Sequence, residues 1–172
     1  MRYTNILQNI NTFIFDYDGV LTNGKVIYLN NNDQLRTSYV KDGYAIQYAI
    51  REGYRIAVIT GGKSPLIQKR LEELGVTDVF PGTYDKLTVF NEYISTNNLH
   101  YDNVLFMGDD IPDYEVMKVC GLAACPADAA EEIKKISHYV SPYNGGEGCV
   151  RDVIEQVMKC HNKWMNKNAF LW

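Results

Sequence analysis

Short apolar runs rich in β-branched and aromatic residues recur along this chain, separated by segments in which apolar positions follow a helical period. Thr12–Phe15, Arg55–Ile59, residues 79–80, Val104–Met107 and residues 122–124 read as strands. Between them, residues 42–52 place Ala45, Ile46, Ala49 and Ile50 on one helical face, with Gly53 as a stop signal. A second helix opens with Ser64 as N-cap and Pro65 in its first turn, and ends at Gly75. Leu87, Phe90 and Ile94 mark a third apolar stripe. Asp128 and Glu131 have the spacing of a capping box for a fourth helix, and residues 150–163 form the last one. Strands apolar enough to be covered on both faces, alternating with helices, predict a doubly wound α/β domain around a mostly parallel sheet. One insertion breaks the rhythm. At about residues 24–40, two extended segments, 25–29 and 34–40, flank Asn30, Asn31, Asn32 and Asp33, the pattern of a β-hairpin flap. With no internal repeat or low-complexity linker, residues 1–172 read as one domain ending in a helix and tail at about 149–172.

At 172 residues and 46% hydrophobic composition, the chain suffices for one well-packed core. A net charge of −4 and a pI near 5.4 supply no basic field of the kind that draws nucleic acid. Any anionic ligand must then be met by local chemistry. No stretch approaches the roughly 20 apolar residues that span a bilayer, and the first residues lack an apolar leader core. The expected setting is therefore cytoplasmic, with neither nucleic acid nor membrane as partner. The four cysteines (Cys120, Cys125, Cys149, Cys160) show no CxxC spacing, and the three histidines (His100, His138, His161) share no ligand spacing. Both sets read as buried or surface groups without metal chemistry.

In a doubly wound sheet, ligands bind at the carboxyl ends of the strands, and those positions are unusually polar here. The first strand runs into Asp16-Tyr17-Asp18-Gly19-Val20-Leu21-Thr22, the second into Thr60-Gly61-Gly62, and the fourth into Gly108-Asp109-Asp110-Ile111-Pro112-Asp113. Lys86 opens the helix after the third. Five carboxylates on one rim repel one another unless a cation is bound among them. Magnesium suits such a set, because it takes oxygen ligands, few carboxylates and a substrate phosphate; Asp16, Asp109 and the backbone carbonyl of Asp18 are the candidate donors. Thr60 and Lys86 are placed to hold phosphoryl oxygens. Asp16 is then the candidate nucleophile. Asp18 is the candidate acid that protonates the leaving alkoxide and later deprotonates water.

Together these segments, in this order, resemble the four motifs of the haloacid dehalogenase superfamily across nearly the whole chain. The hairpin in place of a cap domain resembles the superfamily's capless subfamily, as do the phrases Val40-Lys41-Asp42-Gly43-Tyr44, Ile59-Thr60-Gly61 and Gly145-Gly146-Glu147-Gly148. The best-known members of that subfamily are 3-deoxy-D-manno-octulosonate 8-phosphate phosphatases. The resemblance implies a Rossmann-like fold, a magnesium-dependent phosphatase with Asp16, Asp18 and Asp109 around the metal, and Asp110 and Asp113 supporting it. It implies substrate contacts from Tyr39, Val40, Lys41, Asp42 and Gly43, from Gly61 and from Arg70. It further implies a sugar-phosphate substrate and a homotetramer with sites at subunit interfaces, in which residues 144–148 reach a neighbour's site. The chain departs from the family's pattern at Tyr39, Gln47 and Gly62, where other members carry asparagine, arginine and arginine; Lys63 is the nearest replacement cation. An acidic residue at position 62 would mark the related nonulosonate 9-phosphate phosphatases, and its absence favours the eight-carbon sugar. Two other classes fit less well. A signalling receiver domain carries one phospho-accepting aspartate in mid-chain, whereas here Asp-x-Asp comes first; a non-catalytic phosphosugar-binding protein needs no nucleophile and acid pair.

Overall fold

Six strands pair in parallel in the order β5-β4-β1-β6-β7-β8, and a separate antiparallel pair, β2 and β3, forms the hairpin. The computed structural model describes residues 3–30 and 34–171. In chain order the elements are α1 (Tyr3–Leu7), β1 (Thr12–Phe15), β2 (Ile27–Tyr28), β3 (Gln34–Leu35), α2 (Val40–Arg51), β4 (Arg55–Ile59), α3 (Pro65–Glu73), β5 (Asp78–Phe80), α4 (Lys86–Thr96), β6 (Val104–Met107), α5 (Tyr114–Val119), β7 (Leu122–Cys125), α6 (Glu131–Ile136), β8 (Tyr139–Val140) and α7 (Cys149–Cys160).

The strand alternation sorts side chains into two cores. Phe13, Phe15, Ile56, Val58, Leu105 and Met107 pack with α1, α2, α3 and α7 on one face. Ile14, Ala57, Ile59, Val104 and Phe106 pack with α4, α5 and α6 on the other. Because both faces are covered, the central strands are apolar beyond Thr12 and Arg55 at their first positions, which is what made them legible as continuous runs. From β1 the chain moves outward through β4 and β5, then crosses to β6, β7 and β8 on the other side. The reversal opens a crevice beyond the carboxyl ends of β1, β4 and β6.

The doubly wound fold and the hairpin are as the sequence predicts, with local differences. The hairpin strands are two residues each rather than five to seven, and Asn31, Asn32 and Asp33 lie outside the described residues. The pattern did not reveal α1, α5 and β8, whose lengths of five, six and two residues are too short to show a period. The expected capping box at Asp128 is not formed. The N-cap of α6 is Ala130, and the Asp128 carboxylate accepts the Gly145 N–H at 2.9 Å instead, so a tertiary partner outcompetes the local one. Ser64 does cap α3, accepting the Leu66 N–H at 3.3 Å. The tail folds back on its own chain: Tyr48 donates to the Lys163 carbonyl at 2.7 Å, Asn168 donates to Glu52 at 2.7 Å, and Trp164 packs on Tyr48.

The glycine-rich segment before α7 braces the turn after β1. Gly146 N–H donates to the Val20 carbonyl at 2.9 Å, and a Cβ at Gly145 would fall 1.8 Å from the Gly19 carbonyl oxygen. Two backbones in contact leave no flexible atom to yield. Gly145→Ala is expected to cost about 3 kcal/mol through overpacking. Gly53→Ala, which meets no atom within 4 Å but holds φ +86°, should cost only about 1 kcal/mol. Urea unfolding of the two variants tests the difference; equal losses would show that the contact is relieved at no cost.

Candidate active site

Asp16 follows β1 directly, its N–H still donating to the Met107 carbonyl of β6 at 3.0 Å, so its carboxyl group is delivered to the crevice by the sheet ladder itself. The chain then turns over Tyr17, whose carbonyl accepts from Leu21 N–H at 2.9 Å and Thr22 N–H at 3.1 Å. Gly19 sits in this turn at φ +90°, and a Cβ there would lie 2.0 Å from Oδ2 of Asp109. Glycine is therefore required twice over, by conformation and by the carboxylate pressed against it.

Lys86, the first residue of α4, is buried with its Nζ 2.9 Å from Asp16 Oδ1 and 2.7 Å from Asp113 Oδ1. Asp85 caps the helix by accepting Thr88 N–H at 3.1 Å, which fixes where Lys86 starts. Asp113 belongs to a short 3-10 turn (Ile111–Asp113) with a true capping box to Asp110. Its Oδ2 accepts the Asp109 N–H at 3.1 Å while its Oδ1 takes Lys86. Carboxylate oxygens of Asp16, Asp109 and Asp113 all come within 4.8 Å of one another. Burial, then the charge of Asp113, raises the Asp16 carboxyl to about 6, with Lys86 pulling the other way. Burial and the Asp16 charge raise Asp109 further, to about 8. For Lys86, burial works against the charge, but Asp113 and Asp16 more than offset it and the ammonium is held above its ordinary range. The donors are hard oxygens crowded beyond what one lysine neutralises, which fits magnesium. Asp113 has both oxygens engaged, so Asp16 and Asp109 are the carboxylates left to face a cation.

Asp18 looks elsewhere. Its Oδ1 accepts from Arg36 Nε at 2.7 Å and from the Thr22 hydroxyl at 3.3 Å. Thr60 is buried at the end of β4, its hydroxyl accepting Gly62 N–H at 3.1 Å. Asp16, Asp18, Thr60, Gly61, Lys86, Asp109, Asp110 and Asp113 all line one cavity of about 720 Å³, together with Lys63 and Tyr84.

The remaining predicted substrate residues do not line that cavity. Tyr39 and Lys41 border a cavity of about 310 Å³ against α7, and Val40 is exposed. Asp42 is buried, accepts the Arg151 N–H at 2.8 Å and so ties α2 to α7; burial raises it to about 6 despite that bond. Gly43 lies against the Arg70 guanidinium. Sequence reasoning missed Arg36, which carries no motif and reaches Asp18 only through the fold. Its signal was that it is the single charged residue of the predicted extended segment 34–40.

A doubly wound sheet that gathers acids and one lysine at its switch point, beneath a hairpin rather than a domain, has the build of the haloacid dehalogenase-like hydrolases; residues 73–154 match that family. The chain is 35% identical over 156 residues to the 3-deoxy-D-manno-octulosonate 8-phosphate phosphatase of Escherichia coli K12, covering 91% of this chain and 83% of the relative. The crystal structure of the corresponding Yersinia pestis phosphatase superposes with a TM-score of 0.91 at 33% identity, covering 93% of this chain and 86% of that one. The Moraxella catarrhalis phosphatase, crystallised with magnesium, phosphate and 3-deoxy-D-manno-octulosonate (KDO), gives a TM-score of 0.90 at 29% identity, covering 93% and 92%. The chain thus belongs to this phosphatase family within the haloacid dehalogenase-like hydrolases. No helix among the described residues is long and apolar enough to cross a membrane.

The raised carboxyls carry a stability consequence. Without metal, folded Asp16 and Asp109 hold protons up to about 6 and about 8, well above the ordinary aspartate range. The folded state then binds more protons than the unfolded one, and stability falls as pH rises through that window. Thermal unfolding of metal-free protein should move to lower temperature from about pH 5 to about pH 8, and Asp109→Asn should remove the upper part of the fall. A Tm that climbs over this range would show the acids to be neutralised in another way.

Proposed function

We propose that residues 1–172 form one magnesium-dependent phosphomonoesterase domain that hydrolyses 3-deoxy-D-manno-octulosonate 8-phosphate through an aspartyl-phosphate on Asp16. The observation that carries this reading is the contact of Lys86 with both Asp16 and Asp113 beside Asp109, at the switch point of the sheet. It pulls a nucleophilic carboxylate toward the ionised form against burial and holds it at a cavity able to take phosphate.

In this reading an Asp16 oxygen attacks phosphorus in line while the bond from phosphorus to the sugar oxygen breaks. Asp18 gives its proton to the departing alkoxide. The Asp18 carboxylate then takes a proton from water, which attacks the phosphorus, releases phosphate and restores Asp16. Lys86 and the Thr60 hydroxyl hold phosphoryl oxygens as charge shifts among them. Asp16 and Asp109 would hold the magnesium, which when bound screens the phosphoryl group from the acids around it. Asp113 orients Lys86 and the Asp109 turn.

Support for the substrate comes from the family relationship and from the size of the cavity. Support for a homotetramer comes from the hairpin, whose Ile27, Tyr28 and Leu35 stand exposed on one small element, an apolar cluster that a neighbouring subunit would cover. Within residues 144–148, Gly145 and Gly146 are engaged with the turn after β1 of their own chain, so any reach into a neighbour comes from Glu147 and from Tyr143 beside the segment.

Phosphate release from 3-deoxy-D-manno-octulosonate 8-phosphate, nonulosonate 9-phosphates and hexose phosphates tests the proposal directly. Preference for the eight-carbon ester, loss of turnover on chelation and recovery with magnesium are expected. Asp16→Asn should lower kcat by about a thousandfold or more while leaving thermal unfolding in magnesium-free buffer cooperative. Turnover retained in this variant would remove the covalent mechanism.

A further inference from the structure

The hairpin inverts the usual sorting of side chains. Ile27, Tyr28 and Leu35 stand exposed, whereas the side chain of Arg36, the residue after β3, is only 10% exposed. Long charged side chains on a surface element ordinarily keep their charged end in water. Burying this one is costly, because Nη1 is left with no hydrogen-bond partner. Among the described residues, the bond from Nε to Asp18 Oδ1 at 2.7 Å is the one that its side chain makes. A hairpin that needed only an anchor would gain as much or more from an apolar residue here. The burial makes sense as a device that acts on Asp18.

The two carboxyl oxygens of Asp18 are held unequally. Oδ1 accepts from Arg36 and also from the Thr22 hydroxyl at 3.3 Å. Thr22 is fully buried, and its oxygen accepts the N–H groups of Gly19 at 3.3 Å and Gly24 at 3.2 Å, which leaves its proton for Asp18. Oδ2 has no hydrogen-bond partner among the described residues. It lies on the side of Gly62, 3.4 Å from where a Cβ of that residue would stand, and Asp18, Thr60 and Gly62 line the reaction cavity together. Turning the carboxyl group about its last bond would exchange the two oxygens, and the two donors on Oδ1 oppose that turn.

Resting on the acid and base role given to Asp18 above, we propose that Arg36 is a positioning residue that turns Oδ2 of Asp18 toward the leaving group, so that the hairpin takes part in the reaction through this contact. Oδ2 then carries the proton. As the bond from phosphorus to the ester oxygen breaks, its electron pair stays on that oxygen and takes the Oδ2 proton, and Asp18 is left as a carboxylate beside the Arg36 guanidinium. The fixed positive charge favours the form of Asp18 that appears as the ester is cleaved. In the second half the same oxygen takes a proton from water, while the water oxygen bonds to phosphorus and the bond to Asp16 breaks.

Single-turnover release of the leaving group, with the full chain in excess and magnesium present, tests this on two esters. The alkoxide of 3-deoxy-D-manno-octulosonate 8-phosphate needs a proton to depart; the phenolate of p-nitrophenyl phosphate does not. Arg36→Gln should lower the saturating rate constant for the sugar ester about a hundredfold with its half-saturating concentration moved by about threefold or less, and the loss on the aryl ester should be at least about tenfold smaller. Asp18→Asn should show the same asymmetry, and Arg36→Lys should recover part of the rate. On the sugar ester, adding Arg36→Gln to Asp18→Asn should cost about threefold or less, because both act through one carboxyl group; multiplied losses would overturn the inference. Equal losses on both esters in Arg36→Gln would make Arg36 an anchor for the hairpin and overturn it, as would a loss confined to half-saturation, which would put Arg36 on the substrate. Asymmetry in Asp18→Asn with none in Arg36→Gln removes the positioning role and leaves Asp18 as the acid. Equal losses in Asp18→Asn remove that acid and the inference with it, while the phosphatase reading stands. No release from either ester by the parent protein would take down that reading and the inference together.

Discussion

The contact between the Lys86 ammonium and two buried aspartates governs the upper rim of this molecule. Nζ sits 2.9 Å from Asp16 and 2.7 Å from Asp113, in a crevice where burial alone drives carboxyl groups toward the neutral form. Attraction at this range in a partly dry site outweighs the desolvation of the lysine, as the raised ammonium shows. Remove that charge and three carboxylates would confront one another with no fixed cation from the chain between them. Much of the surrounding architecture reads as a means of holding the pair in register: a capped helix start for Lys86, a capping box for Asp113 and a parallel ladder for Asp16.

Close backbone approaches supply the second constraint. Asp109 presses on Gly19, and Gly145 presses on the carbonyl of the same residue, so the turn after β1 is held between an acid from β6 and the loop leading into α7. Asp128 joins in by accepting Gly145 N–H. Three distant segments therefore meet at one turn. The orientation of the nucleophile is set by backbone packing, with few side-chain degrees of freedom involved.

What the sequence revealed follows this division. Central strands buried on both faces leave continuous apolar runs, and the acids after them stand out against glycine-bearing turns, so Asp16, Asp18, Thr60, Lys86 and Asp109 could be placed before any coordinates. The tie from Asp42 to α7 was not legible, because its position in a polar phrase says nothing about a helix that arrives more than a hundred residues later. The Asp128 pattern looked like a helix start for the same reason: its real partner, Gly145, is distant in sequence. Arg36 was invisible because its meaning comes entirely from Asp18, eighteen residues away, and from a nitrogen that is notable only for lacking a partner.

The hairpin makes its own two-stranded ladder and contributes no strand to the central sheet. Its sequence is thus released from the register that binds every other strand. Substitutions there leave the pairing of the central sheet untouched, and among the acids of the crevice they reach Asp18 through Arg36. A library confined to the hairpin, with Arg36 kept, would vary the surface beside Asp18 at little risk to the rest of the fold.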